Sequence, residues 1–245
     1  MTGGHDDERR RAELVTAVGA VRSRIAAACQ AVGRDPRSVT LIAVTKTRPA
    51  SDVAALARIG LLDIGESKDQ EARAKIAELA RPPYEPMALR WHLVGRLQTN
   101  KARSVASYAH AVHSLDRAKL VRALADAAAG QGRPDPLDVF VQVSLDANPD
   151  RGGVPVDGVA DLAAAVAGRP ELKLRGVMAV PPLGADPASA FARLAEISSA
   201  VRDRHPEASA ISAGMTDDLE MAVTHGSTHV RVGSALLGRR KPVFG

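Results

Sequence analysis

The chain has a single cysteine, Cys29, among 245 residues. That excludes an internal disulfide and any zinc or iron–sulfur site built from several cysteines. Aromatics are almost as scarce. One tryptophan, two tyrosines and three phenylalanines leave little with which to stack nucleobases. No apolar run approaches the roughly 18 residues that cross a bilayer. The first eleven residues are too polar and charged for a signal peptide. There is no Walker sequence and no GxGxxG, and the seven histidines form no His-x-x-x-His pair on a convincing helix face, so no metal site is expected. The net charge of +5 is carried mostly by scattered arginine, which reads as a solvated surface rather than a nucleic-acid interface. These absences describe a soluble, cytoplasmic chain with neither nucleic acid nor membrane as a partner.

What is present is enough for a large core: 45% of residues are hydrophobic and 25% charged. One domain is expected over 1–245, with residues 1–6 disordered. Short β-type runs fall at 39–44, 62–65, 90–94, 111–114, 139–143, 174–180, 209–212 and 229–233. Alanine-rich helical stretches alternate with them at 51–59, 70–79, 99–108, 117–129, 156–167, 187–204 and 217–224, and an amphipathic helix over 7–32 precedes the first run. Parallel strands need right-handed crossovers, and eight strand–helix units close naturally into a (β/α)8 TIM barrel, here with an extra N-terminal helix. A doubly wound open sheet is the alternative. The barrel carries a consequence for function, since polar residues at the C-terminal strand ends converge on one mouth.

Lys46 ends the first run, LIAVTK, which sets its amine at that mouth. Partial desolvation there would lower its pKa and favour Schiff-base chemistry; the same lysine could instead simply leave the sheet for solvent. In the last segment, THGSTHVRVGSALLG, alternation puts Arg231 on the barrel-facing side, where it needs an acceptor or an anion. Gly233 and Ser234 then open a possible helix through 235–237, a common place for phosphate in this fold, although a structural glycine turn would read the same. In SAGMTDDLE, Thr216 or Asp217 is a candidate N-cap, and Thr216 could offer its hydroxyl to the same phosphate. A weaker reading takes 210–214 as a nucleophile elbow lacking its first glycine, with His225 and His229 downstream, as in a Ser/His/Asp hydrolase.

Taken together, these segments resemble the pyridoxal phosphate homeostasis proteins, single-barrel relatives of the N-terminal domain of alanine racemase. The resemblance rests on eight motifs in order: LIAVTK (41–46), DIGES (63–67), WHLVGRLQTNK (91–101), HSLDR (113–117), VFVQVSLD (139–146), LRGVMAVP (174–181), SAGMTDDLEMA (212–222) and GSTHVRVGSALLG (226–238). It implies that Lys46 forms a Schiff base with pyridoxal 5′-phosphate (PLP). Thr216, Gly233 and Ser234 would hold the phosphate, and Arg231 would face the pyridine nitrogen. His92, Met178, Ser212 and Met215 would line the pocket. Two positions depart from the pattern: Ser67, expected to bind the cofactor by a shorter or water-mediated contact near the ring, stands where the family usually has asparagine, and Arg151 where it often has a lysine that could form a second imine.

An arginine at the pyridine nitrogen disfavours ring protonation, so the cofactor becomes a poorer electron sink. Racemases of this fold tolerate it because a tyrosine from a C-terminal β-domain supplies a second base. Seven residues follow Gly238, so no such domain is expected, and Tyr84 and Tyr108 fall in helical connections. The expectation is therefore a monomeric binder that holds, buffers or delivers PLP in vitamin B6 homeostasis without robust catalysis, exchanging it with apoenzymes or free amino acids. A small PLP-dependent racemase or lyase, and a cofactor-free Schiff-base aldolase, are the alternatives.

Overall fold

In a computed structural model, which describes residues 3–146, 148 and 151–238, eight parallel strands close into a barrel in chain order. They are β1 (Thr40–Val44), β2 (Asp63–Glu66), β3 (Arg90–Leu93), β4 (Ala109–Leu115), β5 (Leu137–Gln142), β6 (Leu172–Met178), β7 (Ala210–Ser212) and β8 (His229–Val232). The ring is closed by β1 against β8, with Thr40 opposite His229 and Ile42 opposite Arg231. Closure removes the open-sheet alternative. The helices are α1 (Gly3–Ala31), α2 (Ala50–Arg58), α3 (Asp69–Leu79), α4 (Ala102–Ala106), α5 (Ala118–Ala129), α6 (Val159–Ala167), α7 (Pro187–Arg204), α8 (Leu219–Thr224) and α9 (Ser234–Leu237). Of the six leading residues expected to be disordered, Met1 and Thr2 lie outside the described residues, and α1 begins at Gly3. No described helix is long and apolar enough to cross a membrane.

The strand alternation sorts side chains into two layers. Val230 and Val232 face outward and fall in one cluster with Leu14, Val18, Val21 and Ile25 of α1, which packs against α8, α9 and α2. Helix α5 buries Leu120, Val121, Leu124, Ala125 and Ala128, the i, i+4, i+8 stripe of an amphipathic helix. Each fully buried leucine of this layer contributes about 1.5–3 kcal/mol. Inside the ring, Ala111, Phe140, Met178 and Ala210 form a separate apolar plug.

Several boundaries differ from the sequence reading. The stretch expected as one helix over 99–108 is a 3-10 turn (Thr99–Lys101) followed by the five-residue α4, and β4 starts at Ala109. A register shift between β3 and β4 accompanies this early start. Helix α8 begins at Leu219 because the Asp218 carboxylate accepts from the Met215 N–H at 2.6 Å, holding 215–218 as a turn. Neither Thr216 nor Asp217 caps it.

Candidate functional site

At the C-terminal mouth, Lys46 follows β1 in a turn whose neighbours are both anchored from β2 and α3. Thr45 Oγ1 donates to Glu66 Oε1 at 2.6 Å, and the buried Lys75 Nζ donates to Thr45 O at 2.7 Å and to Glu66 Oε1 at 2.5 Å. On the other side, Thr47 adopts φ +63°, a strained conformation for a β-branched residue, and its N–H is held by Glu71 Oε2 at 2.9 Å. Lys46 is thus presented by a fixed turn. Its side chain is exposed, so the barrel wall does not shield the amine as the sequence reading expected. The sequence reading missed Glu66, Glu71 and Lys75; the one trace of their role is that lysine is rare and Lys75 is a lysine on the apolar side of α3.

A cleft of about 200 Å³ joins Lys46 to Gly233 and Ser234, between Val44 and Leu237. A Cβ on Gly233 would lie 3.3 Å from the Val44 carbonyl, so glycine allows β8 to run this close to β1. Ser234 Oγ donates to Thr216 Oγ1 at 3.0 Å, which brings the β7–α8 turn to the same place. Gly214, at φ +92°, makes that turn possible: a Cβ there would sit 2.6 Å from Ala222 Cβ. Arg24 of α1 fixes the turn from outside, donating to Thr216 O at 2.8 Å while paired with Glu220. Helix α9 is a single turn, so the local hydroxyls and N–H groups, not a helix dipole, are the donors here.

Arg231 is 5% exposed, and burial pushes its guanidinium down to about 10. It donates to Ser212 Oγ at 2.6 Å and to Ala179 O at 3.1 Å. A guanidinium has five N–H groups, so three of them have no acceptor among the described residues, and no carboxylate forms an ion pair with it. A buried cation so short of acceptors is a place for a lone pair.

Below Arg231, a hydrogen-bonded chain runs down the barrel interior. His113 Nδ1 meets Ser212 Oγ at 2.8 Å, His113 Nε2 meets His92 Nδ1 at 3.0 Å, and His92 Nε2 meets Asp63 Oδ1 at 3.0 Å. Burial raises the Asp63 carboxyl, but its bonds from His92 and Arg90 outweigh that and hold it well below the usual carboxylate range. Burial and the nearby cations keep His113 neutral. The two ends set the direction of the chain. Arg231 can only donate to Ser212, and the Asp63 carboxylate can only accept. Every proton is used once when Ser212 O–H donates to His113 Nδ1, His113 Nε2–H to His92 Nδ1, and His92 Nε2–H to Asp63. The opposite direction gives Ser212 two donors and leaves its own proton without a described acceptor. Long-range ¹H–¹⁵N correlation spectra at neutral pH are expected to show both His92 and His113 as Nε2–H tautomers; an Nδ1–H on either ring would break the derived direction.

The expected site residues therefore divide. Lys46, Gly233 and Ser234 line the cleft, and Thr216 bonds to Ser234 beside it. Arg231 and Ser212 lie beneath it in the barrel. Met215 is exposed on the same turn as Thr216. His92 (3% exposed) and Met178 (2%) sit deeper: His92 belongs to the Asp63 chain and Met178 to the apolar plug, so neither lines the cleft. Ser67 lines a different cavity, on the connections after β2 and β3. Arg151 bridges Asp146 at 3.0 Å and the Pro181 carbonyl at 2.7 Å, a tie between two loops. The elbow reading fails. Ser212 is fully buried and receives a bond from Arg231, His225 faces the Met221 carbonyl, and His229 faces Thr228.

Comparison with known proteins shows the family. The family described as "Alanine racemase, N-terminal domain" matches residues 17–241. A Mycobacterium leprae protein named pyridoxal phosphate homeostasis protein is 47% identical over 240 residues, covering 94% of this chain and 93% of its own length. One from Escherichia coli with the same name is 36% identical, covering 90% of this chain and 94% of its own. The structure of PipY from Synechococcus elongatus with PLP bound superposes with a TM-score of 0.75 at 31% identity, over 87% of this chain and all of that one. The chain belongs to the alanine racemase N-terminal domain family and groups within it with the pyridoxal phosphate homeostasis proteins.

Proposed function

We propose that this chain binds pyridoxal 5′-phosphate at the Lys46 cleft and acts in holding, buffering or delivering it, without robust turnover. One observation carries the reading: Lys46 shares a cleft with Gly233 and Ser234, and two residues before Gly233 on β8 stands a buried Arg231 short of acceptors among the described residues. The cofactor, when bound, supplies an aldehyde for a lysine amine, a phosphate dianion and a pyridine lone pair. The residues present fit each of these. Lys46 offers an exposed amine, Ser234 and Thr216 offer hydroxyls 3.0 Å apart, and Arg231 offers N–H groups to the nitrogen. Charge-assisted bonds of this kind contribute about 1.5–3 kcal/mol each. The PLP-bound relative supports the same reading.

The binder reading, rather than racemase or lyase, is supported by the protein's bases. Arg231 would hold a positive charge toward the cofactor's ring nitrogen and so disfavour its protonation. The Asp63 carboxylate is separated from Arg231 by Ser212, His113 and His92 and reaches no atom of the cleft. Both tyrosines of the chain lie in connections that precede strands, Tyr84 before β3 and Tyr108 before β4. Such connections are on the opposite face from Lys46. Tyr108 is also buried away from water, which raises its phenol well above the usual range. The test is α-proton exchange of a panel of amino acids in deuterated buffer with the PLP-loaded chain. Exchange far below about 1 per second is expected; turnover at or above that rate, typical of enzymes, overturns the binder reading.

A further inference from the structure

The Lys46 cleft is not the only concavity among the described residues. A cavity of about 950 Å³ opens on the same face, walled by the connections that follow β2, β3 and β4, and it shares no lining residue with the cleft. Lys68, Arg96, Lys101, Arg117 and Lys119 all line it. The chain has only seven lysines, so three of the seven converge on this one concavity.

Its charge is largely uncompensated. Arg117 is spoken for: it pairs with Asp116 and donates to Leu97 O at 2.9 Å and Thr99 Oγ1 at 3.1 Å, which shapes the wall. Asp69, the one acid in the lining among the described residues, is buried and accepts from Ser104 Oγ at 2.7 Å. Lys68 reaches Glu71 only at 4.0 Å. Arg96, Lys101 and Lys119 have no ion-pair partner among the described residues. A concave site walled by cations focuses a positive potential that an anion relieves. Gln70, Gln98, Thr99 and Asn100 add neutral donors. Among the described residues no aromatic side chain lines the cavity, so recognition there uses charge and hydrogen bonds, not ring stacking.

We propose that this cavity is a second, separate anion site that takes a small ligand with at least two negative charges of the phosphate type, held by Arg96, Lys101 and Lys119. Lysine amines bind a phosphate as point charges, and the Arg96 fork can bind it bidentately. The site does not depend on the function proposed for Lys46.

Inorganic pyrophosphate is the probe. Titrated into the full chain at low salt while backbone ¹⁵N shifts are followed, it is expected to move residues 96–101 and 117–119. The triple variant Arg96→Gln, Lys101→Gln, Lys119→Gln is expected to bind it on the order of tenfold or more weakly at that site, and raising the salt to about 0.5 M to weaken the native protein likewise. All three side chains lie on the surface wall, and the trapping of PLP by the variant is expected to match the native chain. Shifts confined to 216 and 233–235, an unchanged affinity in the variant, or no binding at millimolar pyrophosphate each overturn the proposal. The last outcome would leave the cavity to an acidic protein segment.

Discussion

Replacing Lys46 by alanine is expected to abolish the covalent trapping of PLP by borohydride while leaving the barrel folded. The side chain is exposed and makes no hydrogen bond or ion pair among the described residues, so its loss removes no packing and leaves no buried partner behind. Thermal unfolding should move by no more than a few degrees, in line with a surface substitution of about 0.5 kcal/mol. The remaining lysines give the experiment its resolution. Lys75 is sealed in an ion pair with Glu66, whereas Lys68, Lys101 and Lys119 stand in the neighbouring cavity. Reduction followed by peptide mass mapping should find the cofactor mass on the Lys46 peptide in the native chain and nowhere in the variant. A cofactor found instead on Lys101 or Lys119 would move the binding site to the larger cavity.

The second large effect lies beneath that turn. Glu66 is 1% exposed, and its Oε1 receives both Lys75 and Thr45; its Oε2 is buried with no hydrogen-bond partner among the described residues. Lys75→Met keeps the shape but strands this carboxylate, and breaking a buried pair from one side costs about 3–5 kcal/mol. Out of a total stability of roughly 5–15 kcal/mol this is severe. The cost comes from the uncompensated charge, not from a missing attraction, so Lys75→Met combined with Glu66→Leu is expected to recover most of it, apart from about 1 kcal/mol for the Thr45 hydroxyl left unpaired. Urea unfolding of the two single variants and the double variant decides this. A single change costing under about 1 kcal/mol, or a double variant no more stable than Lys75→Met, would mean the pair is not the brace described here.

The barrel itself was readable because its two periodicities are local. In β8 the alternation of His229 and Arg231 against Val230 and Val232 assigns faces before any neighbour is known, and the observed layers follow it. Lys46, Gly233 and Ser234 were readable for a related reason. They sit at strand ends, and the parallel topology sends all such ends to one mouth. Strand ends say nothing of depth, however. His92 was expected among the pocket residues from its motif, yet its bonds to Asp63 and His113 hold it below the cleft. The helix expected over 99–108 misled because alanine-rich composition does not register where β4 must begin to meet β3.

The sequence by itself determined the fold class, the order of strands and helices, and which residue types stand at the C-terminal mouth, because hydrophobic period and chain direction are written residue by residue. Only the tertiary structure decided which of them touch. The chain of bonds from Arg231 to Asp63 links five strands and spans 168 positions of sequence. The brace under Lys46 comes from a helix thirty residues on, and the gathering of Lys68, Lys101 and Lys119 around one cavity is a product of three separate connections. Hydrogen bonds and charges act over a few ångströms in space and carry no period along the chain, so their partners are set by how the barrel closes.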